Sequence, residues 1–344
     1  MVWPVIVLWF VFPAVAWWIS MPLVSPAVSL TLKQYSFLRK LSRRTWSFFD
    51  TFIGPEDNWL PPDNYQEQPV SVIAHRTSPT NIGLSLLANL SAYDFGYIHS
   101  GKLLERTSNV FNTMNSLERY QGHFFNWYDT QSLKPLKPLY VSSVDSGNLA
   151  GHLLTLKQGL IRLPDHLISG PRLFEGISDT LQILLEKTEK STIVRINQFG
   201  DYLNTVINDP PVTLDELYKC LEKLSISSAE IENSFTVSDD DQSGVWANNL
   251  SRQCQEAFNE LNWLVPWKLH PVSSHRQDHY PEIDYIPTLR EIAMINAEEL
   301  ISSDHINHAQ QRIELIESLA RKSGEFANME FGFLYDKSRR LQTV

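Results

Sequence analysis

The chain has 344 residues, enough for one large domain or two small ones. Its 29 Lys and Arg against 39 Asp and Glu give a net charge of −10, which argues against nucleic acid as a partner, because phosphate binding needs a basic surface. The two cysteines, Cys220 and Cys254, lack metal-ligand spacing and are too few for a disulfide scaffold, so we expect a reducing compartment.

The first 24 residues of the chain contain no charged side chain. A helix needs about 20 apolar residues to cross a bilayer, so this stretch predicts a transmembrane segment over residues 1–26. A secretory signal peptide is an alternative, but no basic residue precedes the apolar run and no small-x-small cleavage site follows it. A second alternative to the membrane span is a hydrophobic helix that is buried in a larger protein. Five basic residues follow between positions 33 and 44, so the positive-inside rule predicts that the rest of the chain faces the cytoplasm.

Apolar periodicity after this segment predicts a mostly helical domain over residues 30–344. The helices are expected at about 30–52, 78–96, 101–120, 145–160, 171–190, 191–208, 213–235, 241–264 and 286–324. The second of them has Ser78 as its N-cap and Pro79 at its first position. A short strand pair is expected within residues 121–144, where HFFNWYD and PLYVSSV flank a turn-like segment. Polar segments precede the apolar helices, an order typical of an α/α toroid, where inner-helix N termini line one mouth of the barrel.

Two polar segments in the first part of the chain could contact a sugar. In NWLPPDN (58–64), Trp59 could stack on a sugar ring, and Asp63 could accept hydrogen bonds from hydroxyls. The alternative is a loop that Trp59 anchors in the core. In HRTSPTN (75–81), a cation, hydroxyls and an amide lie at a helix N terminus, whose free N–H groups favour polar ligands. Plain capping by Ser78 is the alternative there.

Two further polar segments follow. GHFFNWYD (122–129) places Asn126 and Asp129 among four aromatic rings, a composition that suits either a sugar subsite or an ordinary half-buried strand. In SSVDSGNLAGH (142–152), Asp145 could face the cleft or act only as the N-cap of the fourth helix. Gly147 and Gly151 in the same segment suggest a close backbone approach.

The sequence has no nucleophile elbow, phosphate loop, dinucleotide fingerprint or metal-ligand cluster. His305 and His308 share a predicted helix, but their surroundings indicate an exposed polar face, so we expect no metal site. Glycoside chemistry requires a pair of carboxylates, and Asp63, Asp129 and Asp145 are candidates by location alone.

Three long segments resemble cyclic β-1,2-glucan synthases: RRTWSFFDTFIGPEDNWLPPDNYQE, AHRTSPTNIGLSLLANLSAYDFGYI and LERYQGHFFNWYDTQSLKPLKPLYVSSVDSGNLAGHL. Together they cover nearly all of residues 43–154, and MEFGFLYDKSRRL (329–341) is a further similar segment. Residues 160–325 are similar in helical character only.

The resemblance implies a bacterial inner-membrane enzyme of several modules. In these synthases a membrane-embedded glycosyltransferase uses UDP-glucose to make a β-1,2-glucan chain. A helical toroid module, similar to glucoamylase-like barrels, then transglycosylates the chain into a ring, and a phosphorylase-like module trims its length. This chain is similar to the front half of the toroid module, an incomplete (α/α)6 toroid with a small β-hairpin, preceded by one membrane span. It is expected to need no cofactor of its own.

The resemblance also implies which residues line the glucan cleft. The catalytic glutamates are expected in the missing half of the module, so no catalytic residue carries over and we expect the chain alone to be inactive. Expected partners are β-1,2-glucan, the membrane and a second polypeptide with the remaining modules. The alternatives are a non-catalytic, membrane-anchored glycan-binding protein and a gene remnant without function. The expected cleft residues are Trp59, Asp63, His75, Arg76, Thr77, Asn81, Asn126, Trp127, Asp129, Asp145 and Asn148.

Overall fold

The structure is a computed structural model that describes residues 2–21, 30–188, 193–235, 242–266, 284–299 and 308–342. The chain divides into two units, Met1–Leu38 and Arg39–Val344, and the site discussed below lies within the second. The prediction of a mostly helical protein is confirmed. The described helices are α1 (Trp3–Ile19), α2 (Leu32–Phe52), α3 (Pro79–Asp94), α4 (Ser100–Ser116), α5 (Ser143–Arg162), α6 (Pro171–Lys187), α7 (Ile193–Asn208), α8 (Leu214–Glu232), α9 (Gln242–Leu264), α10 (Leu289–Glu299) and α11 (His308–Ala327).

The membrane span predicted over residues 1–26 is not supported. Within the described residues, no helix is both long enough and apolar enough to cross a bilayer. Helix α1 covers 17 residues, whereas a span needs about 20.

The helix termini follow local capping rules. The Ser78 side chain accepts a hydrogen bond from the Asn81 backbone N–H, and Pro79 opens α3, as the sequence predicts. Helix α5 starts two residues earlier than predicted because the Ser142 side chain, not Asp145, caps it. Asp145 lies in the first turn, and its backbone N–H donates to Ser142. Of the single helix predicted over 286–324, the described residues form α10 and most of α11, and residues 300–307 lie outside the described ranges.

The strands are short and antiparallel, two residues each. The hairpin β4–β5 turns at Gln121 and Gly122, both with positive φ, whereas β3 pairs with β6 from a distant part of the chain. The predicted PLYVSSV strand is absent, because its last residues begin α5. The strands are β1 (Tyr65–Gln66), β2 (Val72–Ile73), β3 (Arg76–Thr77), β4 (Arg119–Tyr120), β5 (His123–Phe124), β6 (Tyr128–Asp129), β7 (Tyr335–Asp336) and β8 (Leu341–Gln342).

Helices α3 and α5 run side by side in the same direction. Thr80 contacts Asp145 near their N termini, and Leu90 lies against Gly159 near their C termini. Helix α11 packs on α5 as well, and fully buried leucines of α3 and α5 belong to one continuous core. The parallel arrangement places the N termini of α3 and α5 at the same end of the domain.

Candidate functional site

The site begins at the strand pair β3–β6, which joins two of the polar segments. Arg76 is paired in register with Asp129, and Thr77 with Tyr128. Helix α3 starts directly after β3, so the pair also fixes the N terminus of α3. The contact between Thr80 and Asp145 then adds the N terminus of α5. Three segments far apart in sequence, 75–81, 122–129 and 142–152, therefore meet at one end of the α3–α5 pair.

Asp63 fixes the Arg76 side chain at the edge of this site. Its Oδ2 accepts from Arg76 Nε at 3.2 Å and Nη2 at 2.9 Å, and its Oδ1 accepts weakly from Asn81 Nδ2 at 3.4 Å. The guanidinium carbon lies 5.0 Å from the centre of the Trp127 ring, within cation–π range. Arg76 remains about half exposed, so its other N–H groups are free to reach a ligand.

Asp145 connects the two helix N termini. Its Oδ1 accepts from Thr80 Oγ1 at 2.6 Å, and the same hydroxyl oxygen accepts from Asn148 Nδ2 at 3.2 Å. Asn148 is exposed one turn along α5, on the same face as Asp145. The two predicted residues of α5 thus share one threonine as a partner.

The buried Asn126 amide links Asp145 to the aromatic part of the site. We assign its orientation from its neighbours: Nδ2 donates to Asp145 Oδ2 at 2.9 Å, and the oxygen accepts from Trp127 Nε1 at 2.7 Å. The Tyr140 hydroxyl is a further donor to that oxygen. Asn126 therefore holds the indole of Trp127 and the carboxylate of Asp145 in fixed positions.

His75 belongs to a second cluster that includes a residue the sequence analysis missed. Its Nδ1 lies 2.8 Å from Oδ1 of the buried Asp57, which also accepts from the Thr130 hydroxyl. Asp57 falls within the first segment quoted for the family resemblance, but its partners are 18 and 73 residues away along the chain. No local pattern could have identified it.

Asp129 is engaged by its own turn. Its Oδ1 accepts from the Ser132 backbone N–H at 2.7 Å and from the Ser132 hydroxyl at 2.8 Å. The hydrogen bond from the Ser132 N–H is the main reason that the pKa of Asp129 lies below its usual value. The carboxylate is therefore ionised at neutral pH and unsuited to donate a proton.

Two predicted contact residues, Thr77 and Trp59, pack toward the interior of the domain. Thr77 is fully buried, and its hydroxyl has no hydrogen-bond partner among the described residues. Trp59 packs against the hydrophobic core in a left-handed backbone conformation, φ 63°. This placement favours the alternative in which Trp59 anchors its loop.

Gly147 and Gly151 do not mediate the close approach that the sequence suggested. A Cβ added at either position would meet nothing within 4 Å. Close approaches between α3 and α5 occur instead at Gly83, which lies against His152, and at Gly159, which lies against Leu90.

The site offers hydrogen-bonding groups and an aromatic ring, but not a free carboxylate pair. Asp63, Asp129 and Asp145 each accept hydrogen bonds from neighbouring groups. No cluster of His, Cys, Asp and Glu within the described ranges could hold a metal ion. His305 lies outside those ranges, while His308 stacks on Trp263. The chemistry that this arrangement suits is recognition of a polar, hydroxyl-rich ligand.

Comparison with known proteins relates part of the chain to a glucan enzyme. No family model matches it. Over 152 residues, 43% of the chain, it is 46% identical to the cyclic beta-(1,2)-glucan synthase NdvB of Rhizobium meliloti (strain 1021). The match spans 5% of that protein's length. This part of the chain is related to the cyclic β-1,2-glucan synthase, as the quoted segments predict.

Among solved structures, the crystal structure of a putative glucoamylase from Bacteroides fragilis NCTC 9343 is similar at 17% identity and a TM-score of 0.33. The similarity covers 46% of this chain and 38% of the other. A likeness this low carries no conclusion.

Proposed function

We propose that the polar site at the N termini of α3 and α5 binds β-1,2-glucan, within a module that transglycosylates linear β-1,2-glucan into a ring. The observation that carries the proposal is the Asp145 network. Asp145 joins Thr80 of α3 to the Asn126–Trp127 pair through direct hydrogen bonds. The relation to a cyclic β-1,2-glucan synthase supplies the sugar class.

The chemistry of the site suits a pyranose ligand. The flat C–H face of a sugar can pack on the half-buried indole of Trp127, whose orientation Asn126 fixes. Arg76 and Asn148 are exposed and offer N–H donors to hydroxyl oxygens. Because Asp63 already holds Arg76 in place, little side-chain entropy is lost when a ligand binds it.

We propose that this site binds the glucan chain and does not break its glycosidic bonds. Glycoside chemistry needs one carboxyl group that donates a proton and a second that acts as nucleophile or base. Asp129 has a lowered pKa and is held by Ser132, while Asp145 is held by Thr80 and Asn126. We propose that the catalytic carboxylates belong to another part of an (α/α)6 toroid, supplied by a second polypeptide. The parallel α3–α5 pair is compatible with two inner helices of such a barrel.

Calorimetric titration of the full chain with linear β-1,2-gluco-oligosaccharides tests the binding proposal. We expect saturable binding and no comparable heat with β-1,4-linked oligosaccharides of the same length. The Arg76→Met variant should bind about tenfold or more weakly, because hydrogen bonds to a charged group contribute roughly 1.5–3 kcal/mol.

Arg290→Met is the matched control. Arg290 is also about half exposed and paired with an aspartate, Asp165, but it lies on α10. Its substitution should leave the affinity unchanged. A wild-type chain that is helical by circular dichroism and binds no β-1,2-glucan would contradict the proposed function, as would equal losses in both variants.

A further inference from the structure

We propose that Asp57 holds the imidazole of His75 with its proton on Nδ1, so that Nε2 accepts a hydrogen bond from a sugar hydroxyl. The ligand part of this inference rests on the proposed function. Asp57 then acts through His75 and is a positioning residue, whereas His75 contacts the glucan.

The assignment of the proton follows from the partner of Nδ1. Asp57 Oδ1 lies 2.8 Å from Nδ1 and also accepts from the Thr130 hydroxyl, so this oxygen is an acceptor and Nδ1 is its donor. The Gln131 amide nitrogen lies 3.5 Å from the same ring atom, too far to compete. In the neutral ring, Nε2 is then the acceptor.

The loop that carries Asp57 is held in an unusual backbone conformation. Asn58 and Trp59 follow it with φ of 51° and 63°, in the left-handed region that non-glycine residues seldom occupy. Asn58 Nδ2 donates to the backbone oxygens of Thr130 and Gln131 at 2.8 Å and 3.1 Å. Thr113 of α4 donates to the Asn58 carbonyl at 2.6 Å. Such strain persists only where the surroundings enforce it, and it concentrates at functional sites.

Nε2 of His75 is available to a ligand. Among the described residues it has no hydrogen-bond partner, and the His75 side chain is 39% exposed while that of Asp57 is 8% exposed. His75 directly precedes Arg76, whose guanidinium is a donor only. Sugar hydroxyls can both donate and accept, so they can bond to an acceptor such as Nε2 of His75 and to a donor such as Arg76.

Two amide variants separate this role from a purely structural one. In His75→Asn, the amide nitrogen takes the place of Nδ1 and can still donate to Asp57, but the acceptor at Nε2 is lost. In His75→Gln, the longer side chain brings its amide oxygen near the position of Nε2. We expect about fivefold weaker β-1,2-glucan binding for His75→Asn and at most about twofold for His75→Gln, since one hydrogen bond contributes about 1 kcal/mol.

The opposite order of affinities would overturn the inference, because it would mean that only the bond to Asp57 matters. Unchanged affinity in both variants would overturn it too, and the proposed function would still stand if Arg76→Met loses affinity.

The tautomer can be measured without glucan. Two-bond ¹H–¹⁵N correlation spectra of the full chain, labelled with ¹⁵N-histidine and recorded about two pH units above the ordinary histidine pKa of roughly 6.5, distinguish the two neutral forms. His75, assigned from the signal lost in His75→Gln, should carry its proton on Nδ1. His123 is an internal control of the opposite form, since its Nε2 donates to the Glu330 carbonyl at 2.7 Å.

A His75 ring protonated on Nε2 would refute the inference whatever the glucan data show. A chain with the expected tautomers but no glucan affinity would instead contradict the proposed function. The two failures are therefore distinguishable.

Discussion

The turn that follows Asp129 donates hydrogen bonds to its carboxylate. The pKa of Asp129 should therefore change when these hydrogen bonds are removed. Hydrogen bonds from Ser132 lower the pKa of Asp129 in the folded state. They therefore stabilise the fold at pH values above the ordinary aspartate pKa of about 3.9, and this stabilisation is lost as the pH falls through the folded-state pKa. In Ser132→Ala the hydroxyl bond is removed, so the pKa of Asp129 should rise toward its ordinary value. Carboxyl ¹³C NMR titration measures the change.

Ser116→Ala serves as the control for that titration. Ser116 also has a side-chain hydrogen bond, but its partner is the Asn112 carbonyl within α4, so the Asp129 midpoint should not move. If the midpoint is the same in wild type and Ser132→Ala, the account of Asp129 is wrong.

Individual site residues could be predicted from the sequence where their chemistry and their neighbours in the chain agreed. The sequence predicts four such residues from polar groups in motif-rich loops: Asp63, Arg76, Asn126 and Asp145. In the structure, Asp63 accepts hydrogen bonds from Arg76, and Asp145 accepts one from Asn126. Asp57 and Thr130 were missed because their interaction joins loops 73 residues apart. Thr77 was predicted to contact the ligand because of its hydroxyl. Its burial depends on the pairing of β3 with β6, which the sequence does not reveal.

One of the close contacts between α3 and α5 lies at Gly83. A Cβ at Gly83 would lie 2.5 Å from His152 Nδ1, so Gly83→Ala should destabilise the fold by about 1–3 kcal/mol through overpacking. Gly147→Ala is the matched change on α5. It has open space around it and should stabilise the protein by about 0.5–1 kcal/mol, the ordinary advantage of alanine within a helix.

Urea denaturation of the two variants measures both effects. A loss of stability in Gly147→Ala as large as that in Gly83→Ala would show that the packing of α3 on α5 differs from the structure described.

A buried ion pair connects α2 to α6. Arg39 Nε donates to Asp179 Oδ2 at 2.8 Å, and burial raises the pKa of Asp179 despite this partner. Asp179→Ala removes the buried carboxylate and leaves Arg39 with the Glu175 carboxylate at 3.2 Å, so we expect a loss of about 1.5–3 kcal/mol in the free energy of unfolding. Asp165→Ala, which breaks the exposed pair with Arg290, should change the free energy of unfolding far less, because water screens an exposed ion pair. Comparable losses in the two variants would contradict this ranking.

At the level of elements, apolar periodicity predicted the helices well and the strands poorly. Ser78 and Pro79 mark the start of α3 by a local rule that the structure confirms. Two-residue strands are too short to give a periodic signal in the sequence. In addition, β6 pairs with β3, and helices α3 and α4 lie between these two strands in the chain. The sequence predicted Asp145 as the possible cap of α5, but the Ser142 side chain makes the capping hydrogen bond.

For the whole molecule, we expect that the chain binds β-1,2-glucan but does not convert it into a ring. The full chain incubated with linear β-1,2-glucan should yield no cyclic product, which mass spectrometry identifies as one water lighter than the linear chain of equal length. The reason is that the site's three carboxylates are already engaged. Cyclic product that disappears in Asp145→Asn would contradict this prediction and assign the chemistry to the chain itself.

The sequence predicted the relation to a glucan synthase, since long ordered segments carry more information than short motifs. The apolar N terminus predicted a membrane span, but composition alone does not fix helix length, and α1 has 17 residues.

The most direct measurement is a crystal structure of the chain with a β-1,2-gluco-oligosaccharide bound. The account predicts sugar density at the N termini of α3 and α5, with a pyranose ring against Trp127 and hydroxyls within hydrogen-bond distance of Arg76 and His75. Sugar bound elsewhere on the domain, with these side chains solvated and unchanged, would contradict the central claim.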